Sequence, residues 1–259
     1  MAAAVGVGLA ALVLICLYTV SWLFVVLASA AIAVAVHEVV SALRSAGYDV
    51  AVMPAVTGAV VMLVAAYARG VEALLVAFAL TLVALVVVRL AASADHLGPD
   101  LDAAVLVTIW VPLLASFAML MLAQPDGSDR VLVFILVTVM SDIGGYGAGV
   151  LFGRHRMAPN VSPKKSWEGF AGSLFACAVA AAVAVPVLLS GPWWQGVLLG
   201  LVVACCATVG DLGESLLKRD LQIKDMGTLL PGHGGLMDRL DSLLPTAPVA
   251  FVLLTWIAS

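Results

Sequence analysis

Two stretches in the second half of this 259-residue chain gather side chains able to do chemistry. The first, Gly210 to Ser242, reads GDLGESLLKRDLQIKDMGTLLPGHGGLMDRLDS. Asp211, Glu214, Ser215 and Lys218 follow the spacing i, i+3, i+4, i+7, which sets two acids, a hydroxyl and an ammonium on one stripe of a helix. Gly227, Pro231, Gly232, Gly234 and Gly235 then free the backbone around His233, and Asp238 and Asp241, three apart, point the same way. Hard carboxylate oxygens of this kind suit magnesium, which takes one or two carboxylates together with phosphate oxygens and water. Alone, a DxxD spacing says little. With Asp211, Asp142 and the cations Lys218, Arg219, Lys224 and Arg239 around it, the pattern fits a metal-assisted phosphate site.

The second stretch, Ser141 to Gly169, reads SDIGGYGAGVLFGRHRMAPNVSPKKSWEG. Asp142 falls about halfway along an apolar helix, where an ionised carboxylate costs on the order of a few kcal/mol unless it is paired, binds a cation or meets water. Helical spacing puts Asp142, Gly145, Tyr146 and Gly149 on one face. Gly145 and Gly149 permit close backbone approach, so helix packing around a protonated or hydrogen-bonded Asp explains this face equally well. The connection that follows holds Arg154, His155, Arg156, Lys164 and Lys165, with Ser162 and Pro163 as turn residues and Ser166 as the expected N-cap of the next helix. A basic connection usually sets topology and meets anionic headgroups. Lysines beside a helix N-terminus also hold phosphate.

What the chain lacks narrows the chemistry. No GxxxxGK(S/T) loop is present for P-loop handling of a nucleotide, and no Ser–His–Asp or Cys–His pattern suggests a covalent nucleophile. What remains is a reaction in which a substrate supplies the nucleophile while the protein supplies positioning and neutralisation of charge. Phosphoryl and nucleotidyl transfer work this way.

The elements that must position these residues are read from hydropathy. Apolar residues make up 64% of the chain and charged residues 11%, with mean hydropathy +1.17, outside the range of a soluble globular domain. A hydrocarbon core about 30 Å thick takes about 20 apolar residues per helix. Nine stretches qualify, at 4–20, 22–43, 50–68, 71–91, 102–122, 131–152, 167–190, 193–217 and 240–258. The expected fold class is therefore all-α, a polytopic integral membrane bundle of about nine transmembrane helices; continuous apolar runs argue against a barrel. With nine crossings, ten of the twelve Lys and Arg fall on one side, leaving Arg69 and Arg130 on the other. That bias makes the basic side cytoplasmic, the N-terminus inside and the C-terminus outside. No cleavable signal peptide is expected, because Met1 leads into apolar sequence without a basic segment.

Residues 1–125 read as transmembrane scaffold and 126–259 as the catalytic region of one membrane-embedded unit. Within the scaffold, His37 and Glu38 read as a solvated helix boundary, and the connection 92–101, with Asp95, His96 and Asp100, as a wet acidic link. Cys16, Cys177, Cys205 and Cys206 lie inside expected helices and read as packing residues. A net charge of −4 and the absence of a basic stripe interleaved with aromatics give no sign of a nucleic-acid partner.

From Ser215 to Asp241 the chain closely resembles the phosphatidate cytidylyltransferase (CDP-diacylglycerol synthase) family. Ser215, Lys218, Arg219, Lys224, Asp225, Gly227, Pro231, His233, Gly234, Gly235, Asp238, Arg239 and Asp241 carry the signature. Asp142, Tyr146, Phe152, Gly153 and the segment Ser162, Pro163, Lys164, Lys165, Trp167, Glu168 and Gly169 extend it, with Gly145 where the family usually has alanine. The resemblance covers residues 138–245; the N-terminal half matches in hydropathy alone. It implies transfer of the cytidylyl group of CTP to phosphatidate by a homodimeric inner-membrane enzyme that uses magnesium and admits potassium as a second ion. On that reading Asp142, Asp211, Asp238 and Asp241 hold the metal. Asp211, Asp238, Asp241, Lys165 and His233 are the catalytic candidates, His233 donating to a phosphate or only ordering the glycine turn. Ser162, Lys164, Lys165, Ser215, Lys218, Arg219, Lys224, Asp225 and Arg239 contact the substrates. Two other readings stay open: a CTP-dependent transferase or kinase acting on an ether lipid or a polyprenol, and a transporter.

Overall fold

One glycine breaks the longest apolar run. In the computed structural model, which describes residues 2–92, 97–227 and 234–258, α1 spans Ala2–Thr19, α2 Ser21–Ser45 and α3 Val52–Ala92. At about 1.5 Å per residue a straight α3 would reach roughly 60 Å, twice the thickness of a hydrocarbon core. Gly70 adopts φ 76° and ψ −159°, a state that side chains disfavour, so α3 is two legs joined at a kink. The break falls between residues 68 and 71, where hydropathy expects it. Val20, extended at φ −142° and ψ 111°, separates α1 from α2 in the same place that Tyr18, Thr19 and Ser21 interrupt the apolar run.

The next rod begins with α4 (Leu97–Thr108), widens into a π-helical turn at Ile109–Leu113 and continues as α5 (Leu114–Leu122). Pro112 explains the widening, since it has no N–H to donate and its ring crowds the preceding turn. Then come α6 (Gly127–Phe152), β1 (Arg156–Ala158), β2 (Ser162–Ser166), α7 (Trp167–Leu189), α8 (Trp193–Asp220), a single 3-10 turn at Met237–Arg239 and α9 (Leu243–Ile257). Among the described residues, six rods are long and apolar enough to cross a bilayer: α2, α3, Leu97–Leu122, α6, α7 and α8. The apolar α9 is shorter, at 15 residues.

The all-α expectation describes the bundle but not its basic connection. There β1 and β2 pair antiparallel, with Arg156 opposite Ser166 and Ala158 opposite Ser162. Strands of three and five residues are too short to show the period-two pattern that marks a strand in sequence. Ser166 caps α7 as expected, its Oγ accepting from the Gly169 N–H at 3.1 Å. The hairpin base is closed by Glu168, whose Oε2 accepts from the Arg154 and His155 amides at 3.1 and 3.2 Å.

Helices α6 and α7 meet backbone to backbone. A β-carbon on Gly172 would lie 2.6 Å from the Gly144 carbonyl oxygen, and one on Gly144 would lie 2.6 Å from that of Gly172. This is the close approach that small residues at helical spacing allow between membrane helices. It brings the Asp142 face of α6 beside the start of α7.

Two expectations for the N-terminal half are corrected. Asp100 is not part of a wet link: it is 2% exposed, in the first turn of α4, with its Oδ2 2.7 Å from Arg89 Nη2 and its Oδ1 accepting the Asp49 amide at 2.8 Å. Asp95 and His96 lie outside the described residues. Glu38 is not a solvated boundary either; it is buried and its Oε2 accepts from the Met237 N–H at 2.9 Å, whereas His37 beside it is exposed. In both cases tertiary neighbours remove a helix-end carboxylate from water, which hydropathy along one segment does not register.

Candidate active site

The acids named from the sequence converge. A cavity of about 420 Å³ is lined by Asp142 of α6, Asp211 of α8, and Asp238 and Asp241 from the segment between α8 and α9. Ser162, Lys164 and Lys165 of the hairpin and Arg239 of the 3-10 turn join its polar wall, while Gly145, Tyr146 and Gly149 bring in the α6 face. Helical periodicity delivers Asp142 with Gly145, Tyr146 and Gly149 from α6 and Asp211 from α8, while the hairpin and the segment before α9 deliver the rest.

A second cavity of about 370 Å³ adjoins the first and shares Ser162 and Lys164 with it. Its other polar lining is Ser215, Lys218, Arg219 and Lys224, and no described acid lines it. The stripe along α8 therefore divides: Asp211 lines the cavity with acids, while Ser215 and Lys218, about one and two turns later, line the cavity of cations. Arg219 ties this wall together by donating from Nε to the Val161 carbonyl at 3.4 Å. Asp225 is exposed beside Gly234 and lines neither cavity. His233, with Pro231 and Gly232, lies outside the described residues.

The four acids differ in how they are held. Asp211 Oδ2 lies 2.6 Å from Lys165 Nζ, and its Oδ1 accepts from Ser215 Oγ at 3.4 Å. Asp142 and Asp241 are bridged by Ser242, whose Oγ donates to Asp142 Oδ1 at 3.3 Å or to Asp241 Oδ1 at 3.2 Å. Asp241 Oδ1 also accepts the Ser242 amide at 2.7 Å. Asp238 is the most fully engaged: Lys218 Nζ lies 3.0 Å from Oδ1, and Oδ2 accepts the Gly235 amide at 2.7 Å and the Met226 amide at 3.1 Å.

These surroundings set the protonation of the two acids outside the membrane helices in opposite directions. Burial pushes the Asp241 carboxyl up, and the nearby negative charge of Asp211 adds to it. Burial works the same way on Asp238, but the bonds donated by the Gly235 amide, Lys218 and the Met226 amide outweigh it and hold that carboxyl below its usual range. Asp241 thus gains from a cation arriving in the cavity, while Asp238 is already neutralised by the protein.

Two participants were absent from the sequence-based site. Glu214, on the α8 stripe, is fully buried beside Asp241, with Lys218 Nζ 3.5 Å from its Oε2. The i, i+3, i+4, i+7 spacing already contained it. Ser242 follows Asp241 directly, yet no spacing rule points to a serine that links it to Asp142, 100 positions from the serine.

The donor set fits magnesium. It consists of hard carboxylate oxygens without a thiolate, in a cavity whose wall also carries cations for phosphate. Among the described residues no three His, Cys, Asp or Glu side chains stand close enough together to hold an ion by themselves.

The whole chain can be placed among known proteins. A profile of the cytidylyltransferase family matches residues 1–257. The chain belongs to that family. A Mycobacterium leprae (strain TN) protein named phosphatidate cytidylyltransferase is 44% identical over 271 residues, covering 98% of this chain and 86% of its own length. One of the same name from Mycobacterium bovis (strain ATCC BAA-935 / AF2122/97) is 41% identical over 265 residues, covering 97% of this chain and 86% of its own. A third, from Synechocystis sp. (strain ATCC 27184 / PCC 6803 / Kazusa), is 42% identical over 130 residues, covering 45% and 42% of the two chains. The family match includes the N-terminal half, which by sequence pattern resembled the family in hydropathy alone.

Proposed function

We propose that this protein transfers the cytidylyl group of CTP to phosphatidate, giving CDP-diacylglycerol and pyrophosphate in phospholipid synthesis. The observation that carries the reading is the pairing of two adjoining cavities, one lined by four acids and the other by cations with no described acid. Membership of the cytidylyltransferase family and nearly full-length similarity to two phosphatidate cytidylyltransferases support it.

The mechanism follows from charge. CTP and phosphatidate bring about six negative charges at neutral pH, since a phosphomonoester's second pKa is near 6. Lys218, Arg219 and Lys224 bind phosphate in the cationic cavity, with Ser162 and Ser215 as hydroxyl donors. Lys164, at the shared wall, and Lys165 and Arg239, in the acid-lined cavity, receive the remaining phosphate charge. A phosphatidate oxygen attacks the α-phosphorus of CTP in line, forming one P–O bond as the bond to the β-phosphate oxygen breaks and pyrophosphate departs. The nucleophile is already ionised, so no general base is required. One or two of Asp142, Asp211, Asp238 and Asp241 at a time would hold magnesium, with potassium as the second ion. Bound there, magnesium would supply charge neutralisation at the reacting and leaving phosphates. Lys165 orients Asp211, and Ser242 orients Asp142 and Asp241.

Around this site we read nine membrane crossings: α1, α2, the two legs of α3, the Leu97–Leu122 rod, α6, α7, α8 and α9. Residues 1–125 form the scaffold and 126–259 the catalytic region of one unit. The protein is a homodimer in the inner membrane, with its N-terminus and active site on the cytoplasmic side and its C-terminus outside; the ten-to-two distribution of Lys and Arg supports that orientation.

Purified protein given CTP and phosphatidate tests the reading. Magnesium-dependent formation of CDP-diacylglycerol with one pyrophosphate per lipid is expected. Absence of product under these conditions, or product from a polyprenol or ether lipid alone, would overturn it.

A further inference from the structure

The segment that brings Asp238, Arg239 and Asp241 to the cavity is held from two directions. Asp238 holds it from within, through the Gly235 and Met226 amides. From the other half of the chain, Glu38 of α2 accepts the Met237 N–H at 2.9 Å, across 199 positions of sequence. Met226 and Met237 are both buried.

Glu38 also fills space that only glycine leaves. A β-carbon on Gly235 would lie 2.6 Å from Glu38 Oε2, and one on Gly227 would overlap the Glu38 side chain, which supplies its three nearest atoms. The two glycine backbones and the carboxylate are therefore packed as one unit. Glu38 Oε1 is buried and has no hydrogen-bond partner among the described residues, an arrangement that costs free energy and gives the protein nothing unless the geometry matters.

We infer that Glu38 is a positioning residue for cytidylyl transfer: its carboxylate clamps the Gly227–Gly235 contact and the Met237 amide, and so fixes where Asp238, Arg239 and Asp241 stand. The inference rests on the function proposed above. Met237–Arg239 is a single turn, so a shift at Met237 carries both neighbouring site residues with it. Misplacement by about 1 Å at a reacting centre can lower turnover by roughly 100-fold. Glu38 lies in the half read as scaffold, and it makes that half part of the active machinery without touching substrate.

The test compares variants of the full-length protein in detergent, as kcat per folded molecule. Glu38→Ala and Glu38→Leu are expected to lower kcat by at least roughly tenfold while KM for both substrates changes less. Glu38→Gln, which keeps an oxygen for the Met237 N–H, is expected to retain most of the turnover. Folded Glu38→Ala with kcat within about twofold of the parent would overturn the inference. If that variant does not accumulate folded, Glu38→Asp carries the test: it retracts the carboxylate by one methylene, and parental kcat there is the contrary result. Melting temperatures test the clamp without reference to activity. Gly227→Ala is expected to destabilise, and adding Glu38→Ala to it is expected to restore part of the loss, because contacting sites are not additive. Simple addition of the two losses would refute the contact. Parental turnover reports on the proposed function, whereas the ratio of variant to parent and the melting cycle report on Glu38, so the two readings fail separately.

Discussion

Asp100 and Asp211 hold their cations at nearly the same distance, 2.7 Å to Arg89 and 2.6 Å to Lys165. They differ in what occupies the other side. Asp100 is closed in by Arg89 and the Asp49 amide, and 2% of it is exposed. The Asp211 side chain is 35% exposed and lines a cavity with three other acids. A carboxylate enclosed by donors on every side has spent its bonding capacity on the fold. One that is paired on a single side and open on the other retains capacity for a ligand. Within the cavity the engagement is graded: Asp238 is held by Lys218 and two amides, whereas Asp241 accepts from the Ser242 amide and hydroxyl on Oδ1.

Substitutions sharpen the contrast because they should fail in different assays. The largest effect on catalysis is expected at Asp211→Asn: kcat lower by roughly 100-fold or more, the scale of losing one preorganised charge at a reacting phosphate, with the melting temperature little changed. At Asp100→Ala the pattern inverts. Breaking a buried pair leaves Arg89 partly uncompensated and is expected to cost about 3 kcal/mol of stability, while kcat per folded molecule stays within about twofold. A thermal melt and a turnover assay on the two proteins suffice, and loss of activity without loss of stability at Asp100 would dissolve the distinction. Lys165→Ala is expected to raise the apparent KM for CTP or phosphatidate by roughly tenfold, because a charge-assisted phosphate contact is worth about 1.5 kcal/mol. An unchanged KM for both would remove Lys165 from the site.

The smallest effect concerns pH. Asp238 is held below its usual range, so its bonds stabilise the folded protein fully above the unfolded value of about 3.9 and are lost as pH falls through the lowered folded value. The parent is therefore expected to lose melting temperature below about pH 4 more steeply than Asp238→Asn does. Identical slopes would mean that Asp238 does not bear this load.

How much of this was readable beforehand depends on the distance between partners. The face Asp142, Gly145, Tyr146 and Gly149, the α8 stripe from Asp211 to Lys218 and the Ser166 cap are local patterns, set by helical geometry, and each appears where periodicity puts it. The Gly70 break and the Val20 boundary follow in the same way from interruptions of hydropathy. The burial of Asp100 and Glu38 is not legible in their own segments because the groups that bury them lie elsewhere in the chain: Arg89 and Asp49 for one, Met237, Gly227 and Gly235 for the other. The hairpin at 156–166 is hidden in the sequence because its strands are too short for alternation. The role of Ser242 is invisible locally because it depends on Asp142, 100 positions away. Periodicity reports which side chains share a face. It does not report what the face meets.

The most direct measurement follows labelled cytidylyl from CTP into lipid by purified parent and Asp241→Asn protein, both confirmed folded and both supplied with phosphatidate and magnesium. The parent is expected to form labelled CDP-diacylglycerol and Asp241→Asn to form less than about one hundredth as much, the scale of losing a charge that acts at the reacting phosphate. Parental rates from Asp241→Asn would contradict the assignment of the acid-lined cavity as the place where the transfer occurs.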